Sequence, residues 1–263
     1  MTVRTEALPR VSTPFEWRDT GPVVWLDAAL GSARAAFSTR RGGVSEGPFG
    51  SLNLGLLTGD QPARVRENRL LLAAAVGRDS RSILMGRQVH GTNIQVRDAA
   101  APEGAPLREA DAQVTPSAQL TPLVLVADCV PVAIAAPGVV AAVHCGWRGT
   151  AGGIVERVLR AMGDPDPEHV HAALGPGIGA CCYVVGDEVR DAFAARGHDE
   201  DVLTGDRLDL SLALRRELER LGLAAGRIHD CGLCTSCNSE LFFSHRRDRG
   251  VTGRQAGLAW LAS

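Results

Sequence analysis

The 263-residue sequence predicts a mixed α/β fold. Two observations carry that expectation. A pair of β-rich runs meets at Pro137-Gly138, and four segments with helical spacing of apolar residues are interleaved with further strand-like runs. A hydrophobic share of 45% allows a substantial core, and a formal charge of −2 offers nothing to attract nucleic acid.

Residues 1–20 read as an irregular N-terminal segment, and MTVRTEALPRVSTPFEW lacks the continuous apolar stretch of a signal peptide or membrane anchor. Ala35 to Thr39 is strand-like and leads into Arg40-Arg41-Gly42-Gly43-Val44-Ser45, whose guanidinium and backbone N–H groups suit an anion. The same residues also describe an ordinary turn with solvated arginines. Pro62 to Val76 has helical spacing and is ended by Gly77. Ser82 to Arg97 reads as two strand pieces joined around His90-Gly91, which puts His90 at a strand end or bend; Ala99 to Pro106 is a loop, and Asp111 to Thr115 returns the chain to its centre.

That centre is the hairpin of Leu123–Ala136 and Val139–Cys145. A two- or four-residue loop sets His144 opposite Pro131, and Cys129, two residues earlier, then points to the same face, whereas a three-residue loop would put the two on opposite faces. Asp128, Cys129, His144 and Arg148 thus bring a carboxylate, a thiol, an imidazole and a guanidinium into one short stretch, the candidate reaction centre. Asp128 and the prolines argue against reading this run as a membrane span. The competing structural reading makes Cys129 a small core hydrophobe.

Beyond the hairpin, Trp147 to Met162 is expected to be helical, with the unpaired N–H groups of its first turn beside the hairpin's chemical end. His169 to Leu174 is strand-like. Gly175-Pro176-Gly177-Ile178-Gly179 lacks the spacing of a dinucleotide fingerprint and reads as a tight turn. Gly186–Arg196 and Leu210–Leu221 are two more helices, the second with a leucine stripe. Cys231, Cys234 and Cys237 repeat a C-x-x-C spacing that suits zinc or an iron-sulfur cluster if His229, Cys181 or Cys182 completes the set. Phe242–Asp248 and Thr252–Gln255 form a second arginine-rich turn before a terminal strand, Ala256 to Leu261.

All 28 basic residues are arginine, which excludes Schiff-base chemistry, a P-loop lysine and a lysine base; any anion must be held by arginine or backbone amides. Seven cysteines without a secretory segment point to a reducing cytoplasm. By type, His90, Cys129 and His144 are three zinc ligands with one corner left for a water, whose pKa such a site lowers toward about 7. Asp128 or another carboxylate then serves as proton shuttle. The same atoms also describe a Cys129 nucleophile with His144 as base. Copper is admitted by the donor types, but seven scattered histidines are too few for a four-copper oxidase.

The segments FSTRRGGVS, SLNLG, QVHG, ADCVPV, HCGWRGT, GPGIGACCY, CTSCNSELFFSHRRD and TGRQ, in this order from about Ala35 onward, resemble the YfiH-like laccase-domain family. The resemblance implies a single domain over residues 1–263, with mixed β-sheets sandwiched between helices as in the catalytic domain of cytotoxic necrotizing toxins. It implies one zinc held by His90, Cys129 and His144. It also implies phosphorolysis of adenosine, inosine or methylthioadenosine to base and ribose 1-phosphate, together with adenosine deamination. One branch is linked to an amidase reaction on peptidoglycan precursors, and members were first named polyphenol oxidases. A zinc-stabilised binding module is the non-enzymatic alternative.

In the nucleoside reading, Arg40, Arg148 and Arg246 bind phosphate, while Asp128, Cys129 and His144 carry the chemistry; the partners are a purine nucleoside and phosphate, with neither nucleic acid nor membrane. Three departures from the family pattern stand out. Cys145 replaces a common alanine and adds a thiol beside the metal, Val184 replaces an acid, and His245 stands where tyrosine is common.

Overall fold

The structure is a computed structural model that describes residues 8–100, 102, 105–198 and 201–262. In chain order the strands are β1 (Phe15–Thr20), β2 (Val23–Leu30), β3 (Ala33–Ser38), β4 (Ile83–Leu84), β5 (Ile94–Val96), β6 (Ala112–Thr115) and β7 (Thr121–Val126). They continue as β8 (Val130–Ala136), β9 (Val139–Cys145), β10 (His171–Leu174), β11 (Leu203–Thr204), β12 (Arg207–Leu208), β13 (Ile228–Asp230) and β14 (Gln255–Leu261). The helices are α1 (Pro62–Ala75), α2 (Trp147–Ala151), α3 (Ile154–Ala161), α4 (Asp187–Ala195) and α5 (Leu210–Arg220).

Two six-stranded sheets result, in the orders β1-β2-β3-β14-β7-β4 and β13-β10-β8-β9-β6-β5. Their facing sides share one apolar cluster. Phe15, Leu26, Ala35, Phe37 and Ala259 of the first sheet meet Ala133, Ala135, Val140 and Ala173 of the second, and small residues let the sheets approach. Strand alternation sends Val132, Ile134 and Val143 to the opposite side, against α3, α4 and α5. The outer face of the first sheet packs Trp25 and Leu258 against Leu72 of α1 and Leu52 and Leu54 of the preceding loop. The expected helix–sheet–sheet–helix sandwich is therefore present.

The central hairpin has the expected register: Ala136 faces Val139 around Pro137-Gly138, and Pro131 faces His144. Gly138 has φ +75°, which a two-residue hairpin loop accommodates best with glycine. The run Leu123–Ala136, expected to be one strand, is instead two. Its first part, β7, pairs with β14 in the first sheet, and its second, β8, pairs with β9 in the second. Ala127, Asp128 and Cys129 make the crossing, with Asp128 at φ +90°. Local periodicity shows only that both halves are buried, and a change of sheet leaves no mark on it.

Two further expectations are corrected. Residues 15–20, expected to be irregular, form β1, which pairs with β2 along its whole length; residues 1–7 of that segment lie outside the described residues. The helix expected over 147–162 breaks at Gly152-Gly153, where Gly153 adopts φ +75° and restarts the chain as α3. Part of the loop expected over 99–106 also lies outside the described residues. Among the described residues no helix is long and apolar enough to cross a membrane.

Candidate metal centre

The chain crosses from the first sheet to the second twice on the way to the hairpin, once between β4 and β5 and once between β7 and β8. His90 lies on the first crossing and Cys129 on the second. Each crossing bends sharply, with His90 at φ +58° and Asp128 at φ +90°, conformations that non-glycine residues adopt only when their surroundings hold them. His144 arrives from the end of β9. The ligand atoms of His90, Cys129 and His144 lie within 4.8 Å of one another, and the two imidazoles meet edge to face at 4.8 Å between centroids.

The His90 bend is held from both sides. Gln88 grips β7 through a pair of 2.8 Å hydrogen bonds to the N–H and carbonyl of Leu125. Asp111, at the entry to β6, accepts the backbone N–H groups of Val89, His90 and Gly91 at 3.2, 3.0 and 2.8 Å. The same carboxylate lies 2.7 Å from His144 Nδ1, so one fully buried side chain fixes two of the three expected ligands. With Nδ1 engaged, His144 turns Nε2 toward the cluster, the orientation a carboxylate–histidine pair gives a metal ligand.

Sequence reasoning missed Asp111. It sits within an apolar strand entry, in Glu109-Ala110-Asp111-Ala112, with no motif of its own. The signal was indirect: a ligating histidine on a buried strand needs a carboxylate or carbonyl behind it.

Electrostatics suit the donor set. Burial opposes ionisation of Cys129, but the His144 charge and hydrogen bonds from His144 and His90 prevail and bring its thiol down to about 6. Burial likewise opposes protonation of His144, yet the Cys129 thiolate and the Asp111 hydrogen bond raise it to about 9. Burial would lift the Asp111 carboxyl; the hydrogen bonds from His144 and from the Gly91 N–H hold it below the usual range instead. A thiolate beside two imidazoles, one backed by a carboxylate, fits a divalent zinc-type ion by its donor chemistry.

Close packing depends on two glycines. A Cβ on Gly146 would stand 3.1 Å from Cys129 Sγ and 3.2 Å from His90 Cδ2, and one on Gly149 would stand 3.0 Å from the Gly91 carbonyl. The glycines of the GWRGT segment therefore let α2 lie directly against the His90 bend.

Asp128 is buried and already has work to do: Oδ1 accepts the Thr235 hydroxyl at 2.6 Å and Oδ2 the Arg246 N–H at 2.7 Å. It braces the arginine-rich turn from beneath. Arg246 extends over the Tyr183 ring, 5.2 Å from its centroid, and donates to the Val184 carbonyl at 2.8 Å. Arg148 stacks on Trp147 at 4.2 Å. The Tyr183 hydroxyl is raised to about 12, first by burial and then by the Cys129 charge, and it also feels Arg246, Asp128 and Arg148. Two of the three expected anion-binding arginines thus share the surroundings of Cys129.

Arg40 is placed differently. Its guanidinium donates to the carbonyls of Gly50 at 2.7 Å and Ser239 at 3.1 Å and lies over Phe243, tying the 40–51 loop to the 238–243 turn. Arg254, which the sequence reading placed in a turn without a role, is half-buried; burial lowers its pKa while the charges of Cys129 and Asp128 raise it.

Cys145 does not compete for the metal. Alternation along β9 turns it away from His144 into the helix-side core, where burial pushes its thiol well up. His245 is exposed.

Fold and site together define a two-sheet α/β protein whose sheet crossings gather an open His/Cys/His donor set beside a cationic wall. More particularly, the chain belongs to the YfiH-like laccase-domain family: residues 34–262 match the family model described as multi-copper polyphenol oxidoreductase laccase. It is 40% identical over 242 residues to a purine nucleoside phosphorylase of Streptomyces coelicolor, covering 88% of this chain and 97% of that one. It is 42% identical over 227 residues to a purine nucleoside phosphorylase of Deinococcus radiodurans, covering 83% and 85%. The crystal structure of YlmD from Geobacillus stearothermophilus superposes with a TM-score of 0.86 at 35% identity, covering 95% of this chain and all of that one.

Proposed function

We propose that the chain is a cytoplasmic, zinc-dependent purine nucleoside phosphorylase, folded as one domain, that converts adenosine, inosine or methylthioadenosine and phosphate into purine base and ribose 1-phosphate. The observation that carries this reading is the His90/Cys129/His144 donor set, within 4.8 Å, next to Tyr183, Arg148 and Arg246. The purine nucleoside phosphorylases among its relatives support it.

His90, Cys129 and His144 would hold the zinc, which when bound supplies a Lewis acid beside the substrate. The remaining work falls to the chain. Phosphorolysis breaks the bond between C1′ and the base nitrogen and forms one from C1′ to a phosphate oxygen. The attacking anion must be held and its charge balanced, which suits the guanidinium groups of Arg148 and Arg246. Arg40 ties the 40–51 loop to the 238–243 turn, and half-buried Arg254 adds positive charge. The departing base carries negative charge and must gain a proton; the attacking hydrogen phosphate loses one, and Asp128 is the carboxylate that would assist its transfer. Deamination of adenosine, with water displacing the amino group as ammonia, would use the same pocket.

A second reading is favoured by one observation. Cys129, His144 and Asp111 form a thiolate–imidazole–carboxylate chain, the constellation of a cysteine amidase acting on peptidoglycan precursors. Incubation of zinc-loaded protein with adenosine or inosine, with and without phosphate, separates the two. Phosphate-dependent ribose 1-phosphate is expected; its absence, or amide cleavage that persists after chelation, would overturn the nucleoside assignment.

A further inference from the structure

A second cluster stands apart from the His/Cys/His set. The turn that follows β10 carries Cys181 and Cys182, and the turn that follows β13 carries Cys234 and Cys237. Because β10 and β13 are parallel neighbours, with Ala172 facing Ile228 and Leu174 facing Asp230, both turns leave the sheet side by side. An isolated bridge between Gly177 and Cys234 and the 2.9 Å bond from Thr235 N–H to the Gly177 carbonyl keep them in step. All four sulfurs lie within 4.8 Å of one another.

We propose that Cys181, Cys182, Cys234 and Cys237 form a tetrathiolate site for a second zinc ion. The spacing is that of a mononuclear tetrahedral centre. Cys181 and Cys182 each stand 3.5 Å from Cys237 and 3.7 Å from one another, while four sulfurs about 2.3 Å from a tetrahedral zinc stand about 3.8 Å apart. All four are free thiols, and a disulfide would need sulfurs about 2.0 Å apart. The Gly179 N–H points at Cys234 Sγ at 3.2 Å, a donor that stabilises a thiolate.

Loading Zn2+ replaces the thiol protons, which pass to solvent, and leaves four thiolates around a dication with a net charge of minus two. Arg207 and Arg247 are placed to offset it. Arg207 donates to the carbonyls of Ala180 and Cys181, and Arg247 to those of Thr235 and Ser236. Soft thiolate donors in tetrahedral order select zinc over hard cations.

The role is positional. Cys181 and Cys237 are exposed and Cys182 and Cys234 half-buried, so these turns have little core of their own. A bridging ion would supply one and would close the long loop between them. The two turns carry Tyr183, over which Arg246 lies, and Thr235, which bonds Asp128. The second ion therefore sets the wall of the first site without touching its ligands.

The test is metal content, which does not depend on the nucleoside reading. Protein purified under anaerobic, reducing conditions is expected to hold two zinc ions per chain, and the Cys234→Ser/Cys237→Ser variant one. Reconstitution with Co2+ should give an intense four-thiolate charge-transfer band that persists in His90→Ala and falls to the weaker one-thiolate band of Cys129 in the double variant. Should that variant fail to fold, wild-type protein still decides: Zn2+ should protect all four thiols from alkylation, mapped by mass spectrometry, and a chelator should expose them. A zinc content that the double variant leaves unchanged, or alkylation of these cysteines at the same rate with and without Zn2+, would overturn the proposal.

Discussion

Asp111 Oδ1 lies 2.7 Å from His144 Nδ1 while the same carboxylate takes the N–H groups of Val89, His90 and Gly91. One buried side chain thus fixes the tautomer of one expected ligand and the backbone of another. Asp111→Asn removes the charge from that junction. Metal affinity should fall about 10–100-fold, as for other carboxylates behind a ligating histidine, with the fold retained. Competition against a chromophoric chelator measures it.

Cys129 should be a thiolate in chelator-stripped protein at neutral pH. Alkylation by iodoacetamide is expected to rise through about pH 6, where the two imidazoles beside it place this thiol, rather than near the about 8.5 of an ordinary cysteine. Added Zn2+ should suppress it. An ordinary alkaline profile would show that the imidazoles do not act on the sulfur.

Stability should respond to pH much less than reactivity does. Cys129, depressed to about 6, stabilises the fold above its unfolded value and loses that contribution as pH falls through about 6. His144, raised to about 9, stabilises below its unfolded value and loses that contribution as pH rises through about 9. From about pH 6.5 to about 9 the proton lost by one group in the folded state matches the proton lost by the other in the unfolded state. Melting temperatures of the stripped protein should be nearly flat across that window, and a steep slope there would contradict the paired assignment.

Gly146→Ala places a methyl group 3.1 Å from Cys129 Sγ and 3.2 Å from His90 Cδ2. The backbone at 146 has φ −81° and tolerates alanine, so the effect is local. Metal affinity should drop about tenfold or more with little change in melting temperature. Gly175→Ala is the contrasting case: its Cβ would stand 2.2 Å from the Phe37 ring between the two sheets, costing about 1–3 kcal/mol or more of stability by thermal or urea unfolding.

Arg246→Ala should raise KM for phosphate about tenfold or more, the scale of a lost charged hydrogen bond of ~1.5–3 kcal/mol. The KM for nucleoside should change less. An equal rise in both would assign Arg246 to shaping the pocket rather than to the anion.

The sequence by itself determined the mixed α/β class, the hairpin at Pro137-Gly138, the break between strands at His90 and the three donor types, and it tied the Pro131–His144 register to an even-numbered loop. Each follows from local rules: alternation along a strand, turn chemistry at Pro-Gly, and the preference of borderline metals for imidazole and thiolate. Tertiary structure decided the rest. It split the run 123–136 between two sheets, turned Cys145 into the core, and set Asp111 behind His144. It committed Arg40 to carbonyls and gathered Cys181, Cys182, Cys234 and Cys237. These facts depend on where the chain crosses from one sheet to the other and which strands become neighbours. Such pairings join residues tens to hundreds of positions apart, and no periodicity within one segment records them.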